Sequence, residues 1–135
     1  MQAQDRLMDR KLRIQSSRIS INAECMFATT VIEMTIYNPH PVEAEALETF
    51  RLQDGQVISG LELDLHGHFR KGSIEERWKA SNAYNSVVGK RIDPALLQQI
   101  GHNYYRLNVY PVAARSTRRV RIHITQWLWE SGCVG

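Results

Sequence analysis

The sequence predicts a mainly β fold, an antiparallel β-sandwich of about seven to nine strands. Three observations support this prediction. Apolar and polar residues alternate along much of the chain, with the period of two that is typical of half-buried strands. Turn-forming pairs such as Asp54-Gly55 and His66-Gly67 separate the alternating runs. The 135 residues are 43% hydrophobic and 23% charged, which is the composition of one ordinary globular domain.

Four strands are predicted in the first half of the chain. Asn38-Pro39-His40-Pro41 ends the second of them, because proline cannot donate a backbone hydrogen bond to a sheet. Gly60 indicates a bulge in the fourth, and Asp54-Gly55 before it is a strong hairpin signal. The runs are residues 18–23, 28–36, 42–52 and 57–65.

Two helices are predicted next. The first spans about residues 74–88, where Ser73 and Glu76 form a capping box at its start and Gly89 ends it. The second, shorter helix spans about residues 94–100, because Asp93-Pro94 supplies a cap and a first-turn proline. Two further strands follow, one before Pro111 and one leading into Trp127.

The chain is predicted to consist of a linker or flexible segment (residues 1–11), one domain (12–129) and a tail (130–135), and to be part of a longer protein. It contains no run approaching the ~20 apolar residues of a membrane span. Cys25 and Cys133 fit neither a disulfide framework nor a zinc spacing. Cys25 is expected to be a buried thiol and Cys133 an exposed one, and their redox state stays open.

The sequence predicts that the domain is not an enzyme and needs no cofactor. The sequence contains none of the nucleophile-elbow, zinc-protease, P-loop or dinucleotide-binding motifs. His66 and His68 would point to one side of an extended strand, with Asp64 nearby, so a metal-dependent enzyme is a remote alternative. Turn histidines are more often simply solvated, and we expect no metal site here.

A row of basic residues is the most distinctive candidate binding surface. Arg119, Arg121 and His123 alternate with apolar residues on the last strand, so their side chains share its exposed face. Such a row suits phosphates, acidic polysaccharide or an acidic protein. It equally suits a solvated strand whose charge is neutralised by acidic residues, for which Glu43, Glu45 and Glu48 are candidates. The complete candidate set is Arg106, Arg115, Arg118, Arg119, Arg121 and His123.

Trp127, Leu128 and Trp129 form a second candidate surface at the end of the last strand. A contiguous exposed apolar patch usually marks an interface. We therefore interpret these residues as a contact with a neighbouring domain. Nucleic-acid binding is not expected, because the interleaved aromatic and basic residues of nucleic-acid-binding sheets are absent.

The order of these elements resembles the VIT domain, the module of vault protein and inter-α-trypsin inhibitor. A helix signature of Gly72, Glu76, Ala80, Tyr84 and Gly89 carries part of the resemblance. The flanking strands and turns carry the rest. These are Ala28, Asn38-Pro39, Phe50-Arg51-Leu52, Val57-Ile58-Ser59-Gly60, Leu96-Leu97, Asn103-Tyr104-Tyr105, Val109-Tyr110-Pro111 and Val120-Arg121-Ile122.

The resemblance implies a non-catalytic interaction or scaffolding domain of bacterial type. In that family the domain usually precedes a von Willebrand A-type domain, and bacterial relatives are often exported or envelope-associated. The implied partner is a neighbouring domain or another protein. The binding of an anionic ligand or polysaccharide through Arg106, Arg119 and Arg121 is the alternative.

Overall fold

The computed structural model describes residues 12–24, 26–76 and 94–128, and these contain nine strands in two sheets. Sheet A has the strand order β1-β2-β9-β4-β5 and sheet B the order β3-β8-β7-β6. The mainly β prediction is confirmed. The strands are β1 (Arg13–Ala23), β2 (Phe27–Tyr37), β3 (Ala44–Arg51), β4 (Gln56–Leu65), β5 (His68–Lys71), β6 (Ser73–Glu75), β7 (Ala95–Gly101), β8 (Tyr104–Val112) and β9 (Thr117–Trp127).

The hydrophobic core lies between the two sheets and draws on both. On β9, Val120, Ile122 and Ile124 are buried, while the residues that alternate with them point outward. Burying each such side chain stabilises the fold by roughly 1.5–3 kcal/mol. Leu97, Leu107 and other apolar residues of sheet B meet them from the opposite side. The core is Leu12, Met34, Ile36, Ala46, Leu52, Ile58, Leu61, Leu63, Ala95, Leu97, Tyr105, Leu107, Val109, Val112, Val120, Ile122 and Ile124.

The second predicted helix is wrong, because residues 95–101 form strand β7. Ala95 and Leu97 are both fully buried, while Leu96 and Gln98 are only half-buried, which is the alternation of a strand. β7 lies between β8 and β6 in sheet B, antiparallel to the first and parallel to the second. Packing in a sheet interior therefore overrides the helix-favouring composition of this segment. The parallel β6–β7 pair also corrects the prediction of a wholly antiparallel sandwich.

The first predicted helix is wrong in its opening residues. Residues 73–75, which include the expected capping serine, form the short strand β6. Glu76 lies in no helix or strand, and residues 77–88 of that helix, including Ala80 and Tyr84, lie outside the described residues, as does Gly89.

The tight turns take the predicted positions but not always the predicted roles. His66-Gly67, with φ angles of 55° and 86°, joins β4 to β5 as a hairpin. At Asp54-Gly55, Gly55 has φ 92° and the backbone N–H of Gln56 donates to the carbonyl of Gln53 at 3.0 Å. This turn joins β3 of sheet B to β4 of sheet A, so the hairpin predicted there is wrong. The bulge predicted at Gly60 is confirmed by the register shift between Ile58 and Gly60.

Sheet A extends past sheet B on one side, where β1 lies. Every residue of β1 is exposed, including Ile19 at 61% and Ile21 at 68%. The space between the sheets contains an open cavity of about 360 Å³ beside β2. Its lining is mainly apolar and includes Ile32, Phe50 and Ile124.

Candidate interaction surface

The outer face of sheet A carries a ladder of alternating charges centred on β9. Arg121 lies at the centre of this ladder. Its Nε donates to Glu33 of β2 at 3.1 Å, and its Nη1 lies 3.7 Å from Glu62 of β4. Arg119 lies 3.3 Å from Asp64 and 3.7 Å from Glu33. His123 Nε2 lies 2.9 Å from Glu62 Oε1.

The register of the sheet explains these pairs. β9 lies between β2 and β4, and Arg121 is directly opposite Glu33 on one side and Glu62 on the other. Directly opposed side chains of unlike charge on one face attract each other across the strands. The predicted neutralisation of the basic row is therefore found, but with carboxylates from β2 and β4. Glu45 and Glu48, two of the candidates named above, lie on β3 of sheet B.

Phe69 of β5 completes the ladder, although the alternation on β9 gives no indication of it. The guanidinium carbon of Arg121 lies 3.7 Å from the centre of the Phe69 ring, and that of Arg119 lies 5.2 Å from it. Arginine over an aromatic ring gains a cation–π attraction in addition to its ion pairs. The two arginines are thus held by two carboxylate neighbours each and by one ring.

The remaining predicted basic residues do not join this row. Arg106 lies on β8 of sheet B, where its Nη2 donates to Gln98 at 3.2 Å, so the expectation that it extends the row is wrong. Arg118 points to the other side of β9 and donates to the carbonyls of Pro111 and Asp64 at 3.3 and 3.2 Å. Arg115 sits in the preceding turn with φ 53°.

A cluster of exposed apolar residues, the aromatic end, occupies the end of sheet A where β2 begins and β9 ends. Phe27 and Trp127 are directly opposite each other, with ring centres 6.0 Å apart in an edge-to-face arrangement. Trp127 is 64% exposed and Met26 56%. The backbone N–H of Leu128 donates to the carbonyl of Met26 at 2.8 Å, which holds both segments together. Trp129 lies outside the described residues.

The histidine pair lies at the turn between β4 and β5. His66 occupies a left-handed turn position and His68 begins β5 with its side chain exposed. Within the described ranges, no group of three histidine, cysteine or acidic residues is arranged to hold a metal ion. Nor does that part of the chain contain a helix long and apolar enough to cross a membrane.

Gly72 has a structural reason to be glycine. A Cβ at this position would lie 2.7 Å from Cδ2 of Leu61 and 3.0 Å from the carbonyl oxygen of Ala95. Gly72 therefore lets the chain pass closely between β4 of one sheet and β7 of the other. This residue of the helix signature belongs to the packing of the sandwich.

The described residues thus form a mainly β domain of nine strands in two sheets, with a charge ladder and an exposed aromatic end on sheet A. Residues 14–124 match the model of the vault protein inter-alpha-trypsin domain, VIT. Since the match covers most of the chain, this chain belongs to the VIT domain family. VIT domains are non-enzymatic domains of larger proteins, which agrees with the prediction made from the sequence. A search of curated proteins finds no match.

Proposed function

We propose that this domain is a protein–protein interaction module that packs against a neighbouring domain or partner protein through its aromatic end. The observation that carries the proposal is the exposed Phe27–Trp127 pair. Burial of a large aromatic side chain is favourable, so an exposed aromatic pair gains free energy when a partner covers it. Tryptophan is also among the residues that most often dominate the binding energy of protein interfaces.

The neighbourhood of this pair supports an interface of useful size. Val57 is 55% exposed and lies opposite Thr125, one strand from Trp127 and on the same face. Met26 and Leu128 extend the apolar surface around the end of the sheet. The charge ladder borders it along β9 and supplies the polar rim that surrounds the apolar centre of many interfaces.

The anionic-ligand alternative receives less support. Arg119 and Arg121 already have carboxylate neighbours on both flanking strands, so an incoming anion would have to compete with them. Arg106 lies in the other sheet and cannot cooperate with them. The expected neighbouring A-type domain and the exported or envelope-associated location rest on the family resemblance, and both remain part of the proposal.

The test compares pull-downs with the full chain as bait. Trp127→Ser should reduce the amount of bound partner about tenfold, because loss of an interface tryptophan commonly costs more than 1 kcal/mol. Tyr110→Ser is the matched control, since Tyr110 is also an exposed aromatic residue of a strand, at 43%, but belongs to sheet B. It should retain binding.

If both variants lost the same amount of bound partner, or if neither lost any, a contact at the aromatic end would be contradicted. The same pull-down at high salt distinguishes a contact at the aromatic end from the binding of an anionic ligand. Binding through the apolar cluster should persist there, whereas capture that disappears would favour the anionic-ligand alternative.

A further inference from the structure

We propose that two copies of this chain associate through the free edges of β1, so that their A sheets join into one continuous sheet. This self-association goes beyond the contact at the aromatic end and does not depend on it. It rests on the exposed edge of β1, on the interruption of its register and on the charges at its end.

The edge of β1 is long and open. β1 has 11 residues and pairs with β2 on one side. On its other side, the backbone N–H and C=O groups have no strand partner within the described part of the chain. An exposed, regular edge strand is a template for pairing with a further strand.

The other sheet edges are less suited to pairing. β5 has four residues and β6 has three. β3 has eight but presents Glu45 and Arg51 as exposed charges. Short edges and edge charges both discourage pairing with another chain. Among the described strands, β1 is therefore the edge best able to accept a partner.

A bulge restricts pairing to the second half of β1. Its register against β2 shifts between Ile14 and Ser16 and is regular from Ser16 to Ala23. A bulge bends a strand and disturbs its ladder, so the regular part is where another strand fits. Within it, Ile19 and Ile21 point to the same side and are 61% and 68% exposed.

The charges select one antiparallel register. With Ile21 opposite Ile21 of the second copy, Arg18 comes opposite Glu24 of the second copy, and by symmetry this pair forms twice. Ile19 then meets Ala23 of the second copy, so no apolar residue faces a charge. Arg18 and Glu24 are both exposed, and neither makes an ion pair with another described residue. A twofold axis at Arg18 would instead bring two like charges together.

The primary experiment is sedimentation velocity of the full chain over a concentration series. The wild type should show a concentration-dependent dimer. Arg18→Glu should raise the dimer Kd at least tenfold, because it places two glutamates opposite each other at both ends of the interface. Glu24→Arg should weaken the dimer similarly. The double variant, in which the two charges are exchanged, should restore it.

Arg13→Glu is the matched control, because it is the same charge reversal on the same strand but lies before the bulge. It should leave the Kd unchanged, as should Trp127→Ser, which separates this interface from the contact at the aromatic end. The proposal would be overturned if the wild type stayed monomeric throughout the series. It would also be overturned if the double variant had a dimer Kd as high as those of the single variants.

A crosslinking experiment tests the register. In a chain carrying Cys25→Ser and Cys133→Ser, Ile21→Cys should link to its own counterpart with a short thiol crosslinker. Ile19→Cys should not, because the two copies of residue 19 would be offset by four residues, or roughly 13–14 Å along the strands. Efficient linking at residue 19 but not at residue 21 would exclude this register.

Discussion

At the scale of single residues, Asn38 does more to hold the fold than its position in a turn indicates. Among the described residues it is the one buried polar side chain. Its Nδ2 donates to the carbonyls of Val42, Val112 and Ala113 at 2.9, 3.0 and 3.2 Å. Its Oδ1 accepts from the backbone N–H of His40 at 2.9 Å. One amide thus joins the end of β2, the approach to β3 and the end of β8.

Asn38→Ala should lower the free energy of unfolding by roughly 2–4 kcal/mol, because buried carbonyls and one N–H lose their partner together. Urea unfolding followed by circular dichroism measures the loss. The control is Asn108→Ala, which removes a half-exposed asparagine of β8 and should change stability by less than about 0.5 kcal/mol. Similar losses in both variants would contradict the role assigned to Asn38.

Tyr105 gives the domain a predicted sensitivity to alkaline pH. Its ring stacks on Phe50 with centres 6.0 Å apart, and it is 6% exposed. Burial raises the pKa of Tyr105 above its ordinary 10.0, and the negative charge of Glu76 raises it further. The folded state therefore favours the neutral phenol. This contribution is complete below pH 10 and is lost as the pH rises through the folded-state pKa.

Tyr105→Phe cannot lose a proton here, so its stability should fall less than that of the wild type as the pH is raised from 9 to 11. Urea midpoints at the two pH values measure this difference. Tyr110→Phe, at an exposed position of the same strand, should behave like the wild type. A wild-type midpoint that falls no faster than that of Tyr105→Phe would show that this phenol does not contribute.

At the scale of elements, β9 is the strand on which sequence and structure agree best. Alternation alone predicts which of its residues face the core and which face outward, and both sets are found there. The partners of Arg121 could not be predicted, because alternation gives the face of a residue but not the strand beside it. Phe69 could have been anticipated, since the two-residue turn at His66-Gly67 fixes Phe69 opposite Asp64.

β7 shows the opposite case. Its sequence, Ala-Leu-Leu-Gln-Gln-Ile, contains good helix formers behind an apparent cap, and in isolation it favours a helix. The structure places it between β8, the next strand along the chain, and β6, a parallel strand that precedes it, and these two neighbours satisfy its backbone hydrogen bonds. Only the arrangement of the whole sheet contains that information.

The ladder yields a prediction for β9. Arg121→Met keeps much of the aliphatic stem but removes the charge between Glu33 and Glu62, and should destabilise the domain by about 1 kcal/mol, since half-exposed ion pairs are partly screened. The loss should shrink at high salt. Arg70→Met, at an exposed position of β5 without an ion pair among the described residues, should have little effect. Urea denaturation at two salt concentrations measures the stability of both variants. A loss of stability in Arg121→Met that does not depend on salt would be due to lost packing rather than lost ion pairs.

At the scale of the whole molecule, the two sheets are unequal, and the surplus strand determines which surfaces remain open. Sheet A has five strands against four in sheet B; β1 is exposed along its whole length, and an open cavity lies between the sheets beside β2. Six of the nine strands, all except β5, β6 and β7, could be predicted from the sequence. Their division between two sheets could not, because a turn such as Asp54-Gly55 looks the same whether it closes a hairpin or carries the chain across.

The central position of β9 also determines the order in which sheet A can assemble. β9 follows the other eight strands along the chain, yet it lies between β2 and β4. During synthesis, β1 with β2 and β4 with β5 can pair as local hairpins soon after they emerge. The two hairpins cannot join into sheet A until β9 has been synthesised and has paired with β2 and β4. These late, long-range pairings make folding slower than it would be for a sheet of consecutive hairpins, and until they form, the apolar faces of both hairpins remain accessible to chaperones and to other chains.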